Sequence, residues 1–378
     1  MLINLLMSQN LVVVQQYLSW KGHYKQYFEN LFDLKYSYAY ASNKPEQYDN
    51  ALWIKSDFDS DKPLTIESKI KGRFLDSFNI FKMLSKSNFD IIHLIEFEPL
   101  TYLLFANRFR KSPLLIITIH SSDRLHYSSW INNKISGFQR AILNLALRKA
   151  INSGAFIVTH YECHKQSILN IIGRDHNDRV KVINYPAPKP EIEKARIFGN
   201  AKSPKYLIYG QIREDKGIYE FLKNESTKSL NITIAGKIVD TRVFEFANRS
   251  GLTIIDKFLT EEEIKDLTDT HDFMLLPYPI EYTNGAGTFK DSLAKGMPVV
   301  CSDISIFREI IDLHNVGFIF KNPDEIVQLS SNLSNEEYVA FSQNCLDYAA
   351  TYNWKYMKTE YFSLYNKIIQ GNHASLIS

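Results

Sequence analysis

Two stretches of this 378-residue chain carry residue types suited to holding an anion and easing its departure. The first is Asn284-Gly-Ala-Gly-Thr-Phe-Lys-Asp-Ser-Leu-Ala-Lys-Gly-Met-Pro-Val-Val-Cys-Ser-Asp303. Its glycine-bearing loop opens a short helix, Lys295-Gly296 closes that helix, and Pro298-Val299-Val300 begins a buried strand. Gly285 and Gly287 let the backbone come close to a ligand, and the first N–H groups of the helix then point at it. The second stretch is Tyr209-Gly-Gln-Ile-Arg-Glu-Asp-Lys-Gly217, between a strand and a helix. Arg213 offers a forked guanidinium and Lys216 a point charge, so the pair can neutralise a leaving diphosphate. Charge that builds on a departing group is stabilised best by cations already in place.

Other candidates lie in the first half. Ile117-Thr-Ile-His-Ser-Ser-Asp123 sets His120 at the end of an apolar run. An imidazole there can hydrogen-bond a hydroxyl or assist proton movement. Asp123 and Arg124 follow it as acceptor-side candidates. Glu96 and Glu98 end another apolar run, and either can act as general base. Ser56-Asp-Phe-Asp-Ser-Asp61 resembles a calcium loop only until Lys62, which occupies the glycine position, so no metal is expected. The three cysteines, Cys163, Cys301 and Cys345, form no C-x-x-C pair, which argues against a disulfide framework or zinc site and for a reducing cytosol.

These residues need elements to hold them. Short apolar runs alternate with helical patterns from end to end, which predicts parallel sheets with crossover helices. The first-half strands are expected at Leu11–Val14, Asp90–Leu94, Leu114–Ile119, Ala155–Thr159 and Val180–Ile183. Those of the second half are expected at Lys205–Tyr209, Asn231–Ala235, Leu252–Ile255, Asp272–Leu276 and Pro298–Cys301. The polar stretch Lys44–Ser60 reads as a surface loop. Between the halves, Tyr185-Pro-Ala-Pro-Lys-Pro190 denies hydrogen bonds to helix and sheet and reads as a stiff hinge. Two doubly wound domains follow, and open α/β sheets bind ligands beyond the carboxyl ends of their strands. The cleft between them is the expected site.

Composition narrows the function. A net charge of +2 implies no bulk affinity for nucleic acid. No apolar run reaches the roughly 20 residues of a membrane helix, and the apolar start lacks the basic flank of a signal peptide. Between residues 101 and 150, however, Arg108, Arg110, Lys111, Arg124, Lys134, Arg140, Arg148 and Lys149 face only one acid, Asp123. Trp130, Ile131, Phe138 and Leu143 interleave with them. Such a surface suits anionic lipid; a solvated helix face is the alternative.

The stretches 209–217, Ile232-Thr-Ile-Ala-Gly236, Asp272-Phe-Met-Leu-Leu-Pro-Tyr278 and Gly296-Met-Pro-Val-Val-Cys-Ser-Asp303 recur in the order seen in glycosyltransferase family 4. The chain resembles that family's donor-binding half strongly over about 205–310, and Trp354 with its tyrosine-bearing helix resembles the family's tail. The resemblance implies a GT-B fold: two Rossmann-like domains facing across a cleft, with a C-terminal helix crossing back to the first. It places an acceptor domain at 1–186, a nucleotide-sugar domain at 187–350 and the returning helix at 351–378.

By the same resemblance Arg213 and Lys216 bind the donor phosphates, Gly287 and Thr288 contact the diphosphate, and Asp291 holds the ribose. Backbone near Phe258 borders the base, and His120 contacts the transferred sugar. Tyr17-Leu-Ser-Trp-Lys-Gly-His-Tyr24 resembles the family's glycine loop, with Gly22 in the turn and His23 on the acceptor side. That loop lacks the G-x-G-x-x-G of a dinucleotide-binding dehydrogenase. Gln211, Thr283 and Asp291 depart from the family pattern, in which an arginine and two glutamates are usual.

The expectation is a cytoplasmic glycosyltransferase, peripheral to a membrane. It would move a sugar from a nucleotide-diphosphate donor to a glycan or lipid-linked acceptor in surface polysaccharide assembly, with no cofactor. A GT-B epimerase and a catalytically silent GT-B partner subunit are the rival readings.

Overall fold

The computed structural model describes residues 10–19, 24–46, 48, 51–56, 66–109, 113–120, 136–199, 203–282, 285 and 287–374. The chain divides into two units, residues 1–184 with 358–378, and residues 185–357.

The first unit is built on a seven-stranded sheet of order β3-β2-β1-β4-β5-β6-β7, in which every neighbouring pair is parallel. Its strands are β1 (Leu11–Gln15), β2 (Ser37–Ser42), β3 (Ala51–Lys55), β4 (Ile91–Leu94), β5 (Leu114–Ile119), β6 (Phe156–Thr159) and β7 (Val180–Val182). Helices cover both faces, so the central strands read as unbroken apolar runs. Val12, Val14, Ile92, Ile117 and Ile157 form the core with Leu143 and Leu147 of the helix Ser136–Asn152. The strand β3 lies inside the stretch that reads as a surface loop. Its edge position explains the miss, because Leu52 and Trp53 stay 46% and 41% exposed and the run lacks a buried pattern.

The second unit has six parallel strands in the order β10-β9-β8-β11-β12-β13. They are β8 (Lys205–Tyr209), β9 (Asn231–Gly236), β10 (Leu252–Asp256), β11 (Phe273–Leu276), β12 (Val299–Ser302) and β13 (Gly317–Phe320). The short edge strand β13 has no counterpart among the sequence expectations. Tyr206, Ile208, Ile232, Ile234, Phe273 and Leu275 supply one face of this core.

Both sheets reverse their strand order once, at β1/β4 in the first and β8/β11 in the second, and such switch points open crevices at the carboxyl edge. The proline-rich segment departs from its reading as backbone without sheet bonds. Ala187, between two prolines, keeps its N–H, donates to the Tyr352 carbonyl at 2.8 Å and forms an isolated bridge with Asn353.

The helix Trp354–Ala374 anchors to the first sheet from Lys358 onward through its tyrosines. The Tyr361 hydroxyl lies 2.8 Å from Thr118 Oγ1 and 2.7 Å from the Tyr27 hydroxyl, and the Tyr365 hydroxyl lies 2.6 Å from His93 Nδ1. All five groups are buried, so each polar atom is satisfied inside the core. These aromatics pack and hydrogen-bond within the core of the first unit.

Candidate active site

The switch point of the second sheet gathers the two anion motifs. Strand β8 ends at Tyr209 and passes into Gly210, and β11 ends at Leu276 and passes into Pro277 and Tyr278. Gly210 adopts φ +102°, and a Cβ there would stand 3.3 Å from Thr288 Cγ2 and 3.5 Å from the Lys216 Nζ. The motif 209–217 and the start of the helix Gly287–Ala294 therefore meet over one bare backbone position. Gly236, at the end of β9, keeps that position open from below, since a Cβ on it would fall 2.0 Å from the Gly210 carbonyl oxygen.

Lys216 is buried, and among the described residues its ammonium forms no ion pair or hydrogen bond. The Tyr278 ring faces it with its centroid 5.9 Å away. Burial, and then the nearby Arg213 guanidinium, pull this lysine down to about 8. The Asp215 carboxylate offsets only part of this; a desolvated cation is costly to keep, and a bound anion would relieve the cost.

Arg213 is half exposed and clamped by Asp215, Nε to Oδ1 at 2.9 Å and Nη2 to Oδ2 at 2.8 Å. That clamp pushes its already high affinity for a proton higher still. Gly287 has open space on its Cβ side, which leaves the first helical turn approachable. Gly285 is exposed beside it. The buried Tyr278, which ends the motif Asp272–Tyr278, lies beside Thr288, and burial pushes its hydroxyl well up.

Asp291, three residues along the helix, receives a hydrogen bond from the Tyr209 hydroxyl at 3.4 Å. Burial lifts its carboxyl to about 6 against the opposing pull of Lys295. Phe258 stands apart from this group: it lies just past the edge strand β10, two strands from β8, with its ring 80% exposed.

In the first unit the switch strands end at Gln15 and Leu94. Glu96, just after β4, is buried, and its Oε1 lies 3.2 Å from His120 Nε2. His120 follows β5. Its Nε2 also contacts the Ile95 carbonyl oxygen at 3.0 Å, and its Nδ1 lies 2.8 Å from Nε2 of His160, which follows β6. His160 was missed by sequence reasoning, although it shares the signal that marked His120, a histidine directly after an apolar strand.

Glu98 has a different task from the general-base role open to it in sequence. It caps the helix Pro99–Phe105, accepting from the Leu100 and Thr101 N–H groups at 3.3 and 2.5 Å. Both its oxygens are occupied, and such caps fix helix starts. Gly22, His23, Asp123, Arg124 and Thr283 lie outside the described residues, as do Asp57–Asp61 of the candidate calcium loop.

Of the basic and apolar residues between 101 and 150, Arg108, Arg140 and Arg148 are exposed with Phe138, 70% open to solvent. Leu100, Leu104 and Leu145 join that exposed set, whereas Leu143 belongs to the core. Among the described residues no helix is long and apolar enough to cross a membrane.

Comparison with known proteins agrees with this geometry. The family described as "Glycosyl transferase 4-like" matches residues 22–157. No curated protein matches the chain by sequence. Sucrose-phosphate synthase from Thermosynechococcus elongatus is similar in structure, with a TM-score of 0.70 at 12% identity over 96% of this chain and 100% of that one. A glycosyltransferase from Rickettsia africae gives 0.67 at 16% identity, covering 96% and 99%. HepE of Anabaena, in complex with UDP and glucose, gives 0.61 at 9% identity, covering 94% and 99%. The chain therefore shares the GT-B fold of these structures, and its residues 22–157 match the glycosyl transferase 4-like family.

Proposed function

We propose that the protein transfers a sugar from a nucleotide-diphosphate donor to a glycan or lipid-linked acceptor, in the assembly of a surface polysaccharide. The observation that carries this reading is the buried Lys216 ammonium beside Gly210 and Thr288 at the sheet's switch point, which makes no ion pair or side-chain hydrogen bond among the described residues. Lys216 and Arg213 would take the diphosphate, with the N–H groups of Gly287 and Thr288 completing its cradle. Asp291 would accept the ribose hydroxyls, and backbone by Phe258 would border the base. Cations and a helix start do the work that a metal does elsewhere, so the reaction needs none. The structurally similar HepE binds UDP and glucose, which supports a nucleotide-sugar donor here.

The unit of residues 1–184 would serve the acceptor, with His23, Glu96, Asp123 and Arg124 as its candidate contacts, while Gly22 would border the donor and His120 would be directed to the sugar. A lipid-linked acceptor calls for a membrane-facing surface. The exposed Leu100, Leu104, Phe138 and Leu145, set among Arg108, Arg140 and Arg148, support docking on anionic lipid at the inner face of a membrane.

A thermal-shift screen against nucleoside diphosphates tests the reading, because a ligand that binds the native state raises the melting temperature by mass action. At least one diphosphate is expected to stabilise the protein, and Arg213→Ala to shrink the shift. No shift with any of them would overturn the proposal. An isomerised sugar nucleotide without an acceptor would make it an epimerase; binding with turnover only in the presence of a second transferase would make it a partner subunit.

A further inference from the structure

The carboxyl edge of the first sheet holds more protons than two neutral histidines supply. Glu96, His120, His160 and Ile183 follow β4, β5, β6 and β7 and are brought to one edge by four neighbouring parallel strands. His160 Nδ1 lies 2.8 Å from the Ile183 carbonyl oxygen, which can only accept, so this nitrogen carries a hydrogen. His120 Nε2 faces the Ile95 carbonyl oxygen at 3.0 Å and Glu96 Oε1 at 3.2 Å, so it carries one too. The contact left between the rings, His160 Nε2 to His120 Nδ1 at 2.8 Å, needs a third. Two neutral imidazoles bring only two hydrogens to four ring nitrogens. Turning either ring over would set carbon against these partners, so the contacts themselves fix the orientation. A nitrogen separation of 2.8 Å also leaves no room for a bridging metal, whose two bonds to nitrogen would span roughly 4 Å.

We propose that His120 and His160 share one extra proton with Glu96 as its counter-charge, and that His160 is the positioning residue that occupies His120 Nδ1 and keeps it from acting as a base. Where His120 meets a sugar, as the proposed function has it, neither ring nitrogen can take the acceptor's proton while the pair is intact. Deprotonation falls to another group.

The titratable groups around the pair fit this assignment. The Tyr27 ring stands edge-on to His120 at 5.2 Å and tilted to His160 at 6.0 Å. Tyr24, which senses the Glu96 charge and accepts a hydrogen bond from Arg73 at 2.5 Å, is pushed by burial up to about 12. Tyr361 is pushed up likewise, so both tyrosines stay neutral. His93 is held neutral too, pulled down to about 3 by burial and then by the charge of His120. These rings bring no charge to the pair, and among the described residues Glu96 supplies the negative one.

The test is a count of ring-nitrogen protons by NMR on the full chain with 15N-labelled histidine, near pH 7 and without ligand. Three protonated nitrogens among the four of His120 and His160 are expected; two would overturn the proposal. Glu96→Gln should cost the third hydrogen at the same pH, and its retention would overturn the role of Glu96 as counter-charge. His160→Asn should leave His120 with one bare nitrogen and change the shape of the activity–pH profile, where a merely structural loss would scale the profile uniformly. Should either variant fail to fold, the wild-type count still decides. The count is read without substrate, so failure of nucleoside diphosphates to bind would sink the function reading and leave this one standing.

Discussion

The Lys216 ammonium lies 3.5 Å from the point where a Cβ on Gly210 would stand. Replacing that glycine therefore does two things at once. Alanine at φ +102° is strained by about 1–3 kcal/mol. Its methyl also crowds Thr288 Cγ2 and comes into contact with the lysine, covering the bare position where the ligand would approach. Gly210→Ala is expected to lower the melting temperature by a few degrees in calorimetry and to weaken nucleoside diphosphate binding by roughly tenfold or more, a loss of about 1.4 kcal/mol.

Binding should also depend on pH through Lys216. In the free protein its ammonium is lost as pH rises through about 8, whereas a bound diphosphate would hold the proton to higher pH. Affinity is then full below about 8 and falls above it, by at most about tenfold per pH unit. Calorimetric titration at several pH values between 7 and 10 checks this. Lys216→Met should bind weakly and lose the dependence; a wild-type affinity flat across that range would contradict the role given to this lysine.

Asp291 separates the nucleoside from the phosphates. If its carboxylate takes the ribose hydroxyls, Asp291→Ala removes charged hydrogen bonds worth roughly 1.5–3 kcal/mol from nucleoside diphosphates. Inorganic pyrophosphate, which has no ribose, should bind the variant and the wild type alike. An equal loss for both ligands would instead mean that the substitution disturbs the helix start.

Lys290 offers a stability test unconnected with catalysis. It is buried, donates to the Tyr348 hydroxyl, and burial pulls it down to about 7 from an unfolded value near 10.5. Between those values the unfolded chain binds more protons than the native one, so this residue makes stability rise with pH across the window. The slope is at most about 1.4 kcal/mol per pH unit. Denaturant unfolding at pH 7 and pH 9 should show the rise, and Lys290→Met should flatten it.

Much of this was legible in the chain itself. The central strands announce themselves as apolar runs because helices cover both faces of each sheet, and every run expected as a strand overlaps one in the structure. Arg213, Lys216, Gly287 and Thr288 stand out for a related reason: a turn between strand and helix is local, so its residues sit at fixed spacing. The edge strands β3 and β13 escaped because an edge is half covered and short, and its composition blurs into that of a loop; the interior strand β2 escaped because its mixed serine, tyrosine and alanine residues form no apolar run.

What the tertiary structure alone decided is which of these residues share an environment. Glu98 and Glu96 are two positions apart and look alike in sequence, yet one caps a helix and the other faces a histidine. His120 and His160 are 40 residues apart and meet because β5 and β6 are neighbours. Strand order and the burial of Lys216 arise from contacts distant in the chain. Local spacing cannot encode them, because the energy that selects them belongs to the packed sheets as a whole.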